Sequence, residues 1–559
     1  MNTESLLMVS WPKNPHPEQV MTTAIKESFN LMFMRMILLI LVATSAFASD
    51  PYPKNENISV SHYVFRLELS DSTDAIAGEA DVTIRFLKPV ASFDLNLIGK
   101  KSGATGMEIT SIKSSGKPVE YSYNNDLITI KPPQGNELTF TICYKGIPAD
   151  GLIISKNKFG ERSFFGDNWP DRGRNWLPTI DHPAYKATVE FIITAPAEYE
   201  VVATGKMVGE KDLDKGRKLT HWKESIPVSV KVMTIGVTNF SVQTSGVVTG
   251  IPITTWVYPQ NEADGFSDFS VAPKVFEYLQ DYIGPYPFEK LAHVQSKTKF
   301  GGLENASNIF YFENSVNGKN EREELIAHET AHQWFGNSAT EADWHHVWLS
   351  EGFATYCTAL YMEHVYGREE LISIMKNKRT TVLEFAKKNT APIVDTTITD
   401  INNVLSANTY QKASWVLHML RKKMGDENFH KGIREYYDTY KGRTAMTADF
   451  VAVMQKNTVA DLKPFFQRWI YTGGHPRISG TWRYDKRQST VFVEVELTQN
   501  GRFSVPLEFL VETGAKTFTE TLVIEPGKQT LRFVCNEKPS KITADAGNWL
   551  LFEGTINPK

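Results

Sequence analysis

The sequence predicts a multidomain α+β protein: an antiparallel β domain first, a mostly α domain in the middle and a β-sandwich at the end. Three observations carry this. At 559 residues the chain is too long for a single hydrophobic core. A two-residue alternation of apolar and polar side chains runs from about Tyr63 to Gln243 and returns after Ile478. Between those stretches, apolar residues recur at three- and four-residue spacing. With 41% apolar and 22% charged residues the composition excludes disordered and fibrous classes. A net charge of -4 gives no electrostatic footprint for nucleic acid, and a small or neutral substrate fits better.

Taken in order, residues 1–48 read as a leader and signal peptide. From Met34 the chain has one Arg, an apolar run Ile37 to Ala43, and then Ala46-Phe47-Ala48, the small-x-small spacing of a signal-peptidase site. The run is too short to anchor the mature chain, so cleavage after Ala48 and no stable membrane span are expected. That places the protein in the periplasm or outside the cell. Residues 1–33 precede a better start at Met34 and are set aside from fold reasoning.

Residues 49–250 form the first β domain, with "YVFRLELS", "ADVTIRFL", "LTFTICYKG" and "TVEFIITAP" as its clearest strands. Residues 251–475 turn helical: "APKVFEYLQDYIG", "WLSEGFATYCTALYMEHVYG", "YQKASWVLHMLRKKMG" and "FHKGIREYYDTYKG" each end at a Gly. Residues 476–559 alternate again in "TVFVEVEL", "VPLEFLVE" and "TLRFVC", enough for a small β-sandwich. Cys143, Cys357 and Cys535 are odd in number and far apart, so they are read as buried small hydrophobes and not as a disulfide framework.

One stretch carries chemistry. In "ELIAHETAHQWFGN", Glu324 to Asn337, two histidines stand four residues apart and a glutamate follows the first. On an α-helix that spacing puts His328 and His332 about 40° apart around the axis and about 6 Å apart along it, so both imidazoles reach one metal ion. Glu329 then flanks the open position, where a general base belongs. Catalytic zinc takes three protein ligands and keeps one site open. "WLSEGFATY" supplies the third ligand: Glu351 is an acid in an otherwise apolar segment, costly to bury unless paired or metal-bound. The intervening chain is long enough for the first helix to end near Gly336-Asn337 and for a second to return beside it. His345 and His346 adjoin that second helix but are not needed as ligands; they are expected to support the site or face solvent.

With these residues in place, the chain resembles the aminopeptidase-N-like gluzincin zinc peptidases, the family that includes alanyl aminopeptidases and the leukotriene hydrolases. The block from "HETAHQWFGN" to "WLSEGFATY" is similar to theirs. So is "GGLEN", Gly301 to Asn305, with Leu303 where Met is usual, and so is "NTYQKASWVLHML", with Ala413 where Gly is usual. The resemblance runs from about residue 58 to the end. It implies a β-saddle, a thermolysin-like catalytic domain and a β-sandwich, with one Zn²⁺ per chain. It also implies an aminopeptidase acting on peptides with a free N-terminus.

On that resemblance Tyr410 is the oxyanion donor of the transition state and Glu304 the anchor of the substrate's α-ammonium. Gly301, Gly302 and Asn305 complete the substrate loop, the glycines permitting close backbone approach by the substrate. The sequence departs from the family at the β-domain residue that helps hold the amine. Counted back from Arg174, Trp169 stands there. Asp167 or Asn168 takes over the role, or Trp169 floors the first side-chain pocket.

Asn305-Ala306-Ser307 is a formal glycosylation sequon inside the proposed substrate loop, where a glycan would obstruct substrate; a bacterial envelope is therefore favoured. The resemblance further implies a large C-terminal helical domain in many relatives, which this short form lacks. The roof of the site is then absent or supplied by another subunit, so an oligomer is compatible with the sequence. Three rival readings fit less well: an epoxide hydrolase of the leukotriene type would share the metal site, but the resemblance implies that it holds a lipid carboxylate with basic residues of the C-terminal helical domain; an endopeptidase has no need of "GGLEN"; and a silent binding module would be expected to have lost Glu329 or a ligand.

Overall fold

The computed structural model describes residues 54–559 apart from 102 and 499–503; the leader and signal peptide expected at 1–48 lie outside the described residues. Alternation in the first domain becomes sheet. Lys186–Pro196 buries every second residue without a break as far as Ile193, while Ile58–Glu68 changes phase at a bulge between Val60 and His62. Both belong to an eight-stranded sheet ordered Lys206–Leu213, Arg217–Ser229, Lys186–Pro196, Ile58–Glu68, Ile76–Phe86, Glu137–Ile147, Gly106–Ser114, Lys117–Pro118. One pairing departs from the antiparallel expectation: Ile58–Glu68 runs parallel to Lys186–Pro196. Alternation shows which side of a strand is buried but says nothing about its neighbour's direction.

A four-stranded sheet, ordered Glu200–Ala203, Ile235–Thr238, Arg162–Gly166, Leu152–Lys156, accompanies it. The strand Arg162–Gly166 delivers the turn Asp167-Asn168-Trp169 that follows it.

The middle of the chain builds a mixed five-stranded sheet ordered Ser241–Val248, Ile251–Val257, Leu291–Ser296, Asn308–Phe312, Gly302–Leu303. The two-residue strand Gly302–Leu303 lies at its edge, antiparallel to Asn308–Phe312, so the "GGLEN" segment is held at a sheet margin. Helices follow at Glu323–Ala331, Trp348–Tyr366, Arg368–Ala386, Ala413–Met424 and Asp426–Tyr440. The helix Glu323–Ala331 stops sooner than the sequence suggested. Gly336 takes a φ of 120° and donates its N–H to the Ala339 carbonyl, and the Asn337 N–H reaches back to the His332 carbonyl at 3.0 Å. The next helix, Trp348–Tyr366, is buried on all sides from Trp348 to Met362, as a central helix must be.

The C-terminal part has two sheets, one of Gly527–Val534, Thr490–Thr498, Arg477–Asp485 and Ile556–Pro558, the other of Thr517–Ile524, Val505–Glu512 and Lys541–Ala544. The fold is therefore mixed α+β, with a β-rich N-terminal part, a helical centre and C-terminal sheets. Cys357 and Cys535 are buried as expected, whereas Cys143, on a strand face, is only half-buried. Among the described residues no helix is long and apolar enough to cross a membrane.

Candidate metal centre

The helix Glu323–Ala331 and the helix Trp348–Tyr366 pack together and bring His328, His332 and Glu351 to one point. His332 sits at the C-terminal cap of the first helix, still in helical conformation, so the i,i+4 relation survives the early end of the helix. The two Nε2 atoms are 3.1 Å apart, and a Glu351 oxygen lies 3.2 Å from that of His332 and 3.5 Å from that of His328. Ligands at about 2.0–2.1 Å from a tetrahedral zinc ion stand about 3.3 Å from one another, so this triangle fits that ion. The facing Glu351 oxygen has no hydrogen-bond donor although it is buried. His332 donates from Nδ1 to the Phe335 carbonyl at 3.2 Å, with the Ser350 hydroxyl at 3.1 Å, which leaves Nε2 with the lone pair a metal needs.

Charge makes the same demand. Glu304, Glu329 and Glu351 line one small cavity and are 6%, 5% and 4% exposed. Burial, with the negative charges of Glu304 and Glu351, pushes the Glu329 carboxyl well above its ordinary range, against the pull of His332. Burial lowers His328; burial acts on His332 in the same direction, but Glu351 carries it up to about 10. Burial opposes ionisation of Glu351, yet the two imidazoles hold it well below the usual range. Three buried carboxylates in one place call for a divalent cation and a second positive group.

Glu329 is placed by a contact the sequence did not reveal. A β-carbon on Gly302 would lie 2.3 Å from its Oε1, so the edge strand passes directly against this carboxylate. Gly302 lines the cavity, and its lack of a side chain is what leaves room there for Glu329. Gly301 faces open space.

Glu304 follows the edge strand, and its Oε1 is buried with no partner. Its backbone carbonyl is fixed from the metal helix side, by Gln333 Nε2 at 3.2 Å and Asn337 Nδ2 at 2.5 Å. Neither was singled out from the sequence, although both lie in "HQWFGN". Asn305 is fully buried below the loop, where its carbonyl accepts from Gln333; a glycan on its sequon has no room.

Tyr410 stands in a π-helical turn, Asn408–Lys412, that leads into the helix Ala413–Met424. Its ring lies over His328, 6.1 Å between centroids at 24°, and it lines the same cavity as Glu351. Burial and the three carboxylates raise the phenol well above its ordinary pKa, which keeps it a donor.

Trp169 lines the same cavity, but its two neighbours do not take the role left open for them. Asp167 is bound by Arg172, the Thr298 hydroxyl and the Lys299 N–H, and Asn168 by the Val230 and Met233 carbonyls and Trp176 Nε1. Successive residues in an extended turn point in different directions, and only Trp169 points inward. His345 and His346 are both buried and do not face solvent: His345 bonds Asp343 and the Ile398 carbonyl, His346 the Thr447 hydroxyl. A larger cavity, about 690 Å³, lies elsewhere, between the helix Ala413–Met424 and the C-terminal sheets. Among the described residues the His328, His332 and Glu351 group alone offers three clustered ligand atoms, so the candidate site is the small cavity.

Comparison with known proteins bears on the family and the fold. Residues 59–230 match the Peptidase M1 N-terminal domain and residues 268–469 the Peptidase family M1 domain. The chain is similar to the probable aminopeptidase 2 of Sulfurisphaera tokodaii, 25% identical over 79% of this chain and 58% of that relative. It is also similar to human glutamyl aminopeptidase, 27% identical over 56% of this chain and 34% of the relative. The fold superposes on Legionella pneumophila aminopeptidase A, crystallised with aspartic acid, with a TM-score of 0.76 and 16% identity, covering 90% of this chain and 60% of that one. The chain thus spans less than two thirds of the length of these relatives.

Proposed function

Since the chain belongs to peptidase family M1, we propose that it is a zinc-dependent aminopeptidase that removes the N-terminal residue from peptides. His328, His332 and Glu351 hold the metal. When bound, zinc supplies Lewis acidity that polarises the scissile carbonyl and brings the pKa of water towards neutrality. Glu329, held against Gly302, accepts the proton of the attacking water and returns it to the departing amine. The Tyr410 hydroxyl donates a hydrogen bond to the oxygen that gains negative charge. Glu304 receives the α-ammonium in a charge-assisted hydrogen bond, which an internal peptide nitrogen cannot replace.

The observation that carries the reading is the Glu304 carboxylate oxygen, buried and unpartnered beside the metal ligands. A free amine is the group it lacks. We place the enzyme outside the cytoplasm on the sequence Ala46-Phe47-Ala48. The test is hydrolysis of aminoacyl-coumarin amides with and without a chelator. Chelator-sensitive release from free but not N-acetylated substrates is expected; no cleavage of any member by zinc-loaded protein would remove the proposal.

A further inference from the structure

Ser307, just beyond the loop Gly301 to Asn305, is fully buried and takes a φ of 60°. Left-handed backbone is disfavoured for any residue but glycine, so a glycine would sit here more easily. What a glycine would lack is the hydroxyl. Ser307 Oγ accepts from the Gly205 N–H at 2.8 Å, and the Lys290 ammonium lies 3.3 Å from it. Lys290 also donates to the Ser307 carbonyl at 2.9 Å and to Asn308 Oδ1. Gly205 belongs to the first β domain, in the turn between Glu200–Ala203 and Lys206–Leu213.

From Ser307 the contacts run on to the site. The Ser307 N–H donates to Gln333 Oε1 at 2.9 Å, and Gln333 Nε2 donates to the Glu304 carbonyl at 3.2 Å. Gln333 directly follows the ligand His332, so one side-chain amide joins the metal helix, Ser307 and the Glu304 loop. A second tie comes from the same β domain, where the Val232 carbonyl accepts from the Ala306 N–H at 3.0 Å. Val232 is itself steadied by Asn168, whose Nδ2 donates to the Val230 and Met233 carbonyls on either side of it. Ala306, Ser307 and Gln333 are all fully buried, so water does not compete for these bonds. Glu304 Oε1 has no partner of its own, and the place of its carboxylate therefore follows from where its backbone is held.

Resting on the aminopeptidase reading, we propose that the first β domain sets the spacing between the ammonium anchor Glu304 and the metal ligands, and that Ser307 is the positioning residue through which it does so. In a peptide one α-carbon separates the free amine from the first carbonyl, so anchor and metal serve the same substrate only when that spacing is kept. Loss of the Ser307 hydroxyl frees the loop from Gly205 and leaves the packing of the two metal-bearing helices untouched. The amine then adds less to binding, while groups that bind the metal alone are unaffected.

The experiment measures by calorimetry the binding of alanine hydroxamate, and of propanohydroxamate, the same molecule without the amine, to zinc-loaded wild type and Ser307→Gly. Glycine adopts the left-handed backbone freely, so this variant removes the hydroxyl without adding strain. Wild type is expected to bind the amine-bearing compound at least tenfold more tightly. In the variant that ratio should fall at least threefold, with zinc content and the Kd of propanohydroxamate unchanged. A general loosening of the structure would weaken both compounds alike. Should the variant fail to fold, hydrogen exchange in wild type decides the point, because coupling between sites is reciprocal: alanine hydroxamate should slow exchange in the peptide spanning Gly205 more than propanohydroxamate does. An unchanged ratio, equal weakening of both compounds, or equal protection of that peptide overturns the inference while leaving the aminopeptidase intact. Equal affinity of wild type for the two compounds overturns both.

Discussion

The backbone of Gly302 lies so close to the Glu329 carboxylate that a β-carbon there would stand 2.3 Å from Oε1 and 2.5 Å from Cδ. The edge strand thus acts as a stop that sets where the proposed general base sits. Gly302→Ala should push that carboxylate away from the water it serves. A fall in kcat of at least tenfold, about 1.4 kcal/mol, is expected with zinc retained. Steady-state kinetics beside metal analysis checks it; unchanged kcat would show that Glu329 has room to move without consequence.

Glu329→Gln should also keep its metal, because all three ligands remain. An amide cannot take the proton, so turnover should fall by about 10²–10⁴. An active, zinc-loaded variant would remove Glu329 from the mechanism.

Tyr410→Phe should lower kcat with little change in KM, by about 2.7–4 kcal/mol if the phenol is the main protein donor to the oxyanion. A rise in KM at constant kcat would instead make Tyr410 a substrate-binding residue.

Lys231 and Glu341 are 2% and 0% exposed and form an ion pair between the β domain and the helical centre. Lys231→Met leaves a buried carboxylate uncompensated, at a cost of about 3–5 kcal/mol, and Lys231→Met with Glu341→Leu should recover most of it. Urea midpoints measure both. A single variant within about 1 kcal/mol of wild type would show that water or a shifted pKa already relieves the carboxylate.

Much of the site was legible because its spacing is local. His328, Glu329 and His332 are tied by helical geometry, and Glu351 was conspicuous as an acid in an apolar segment. What stayed hidden depends on contacts distant in sequence. Nothing in "GGLEN" says that Gly302 faces Glu329, nor in "HQWFGN" that Gln333 and Asn337 hold the Glu304 carbonyl. The π turn at Tyr410 has no residue signature of its own, since its hydrogen bonds depend on packing. Asp167 and Asn168 looked interchangeable with Trp169 because sequence position does not fix side-chain direction in a turn. The strand pattern was clear, but the parallel pairing of Ile58–Glu68 with Lys186–Pro196 was not, because both directions bury the same alternate residues.

The Glu304 carboxylate decides between an exopeptidase and every other use of this metal site. Glu304→Ala should weaken binding of unblocked substrates and amine-bearing inhibitors by roughly 10- to 100-fold, the range of a charge-assisted hydrogen bond at about 1.5–3 kcal/mol. The most direct measurement is a mass-spectrometric time course on one decapeptide beginning Ala-Ala-Ala, offered with a free N-terminus and as its N-acetyl form to the zinc-loaded enzyme. Stepwise loss of single residues from the free peptide, none from the acetylated one, and none from either after chelation is the expected outcome. Internal cleavage, or equal degradation of the acetylated peptide, would mean that Glu304 anchors no amine and that the protein is not an aminopeptidase.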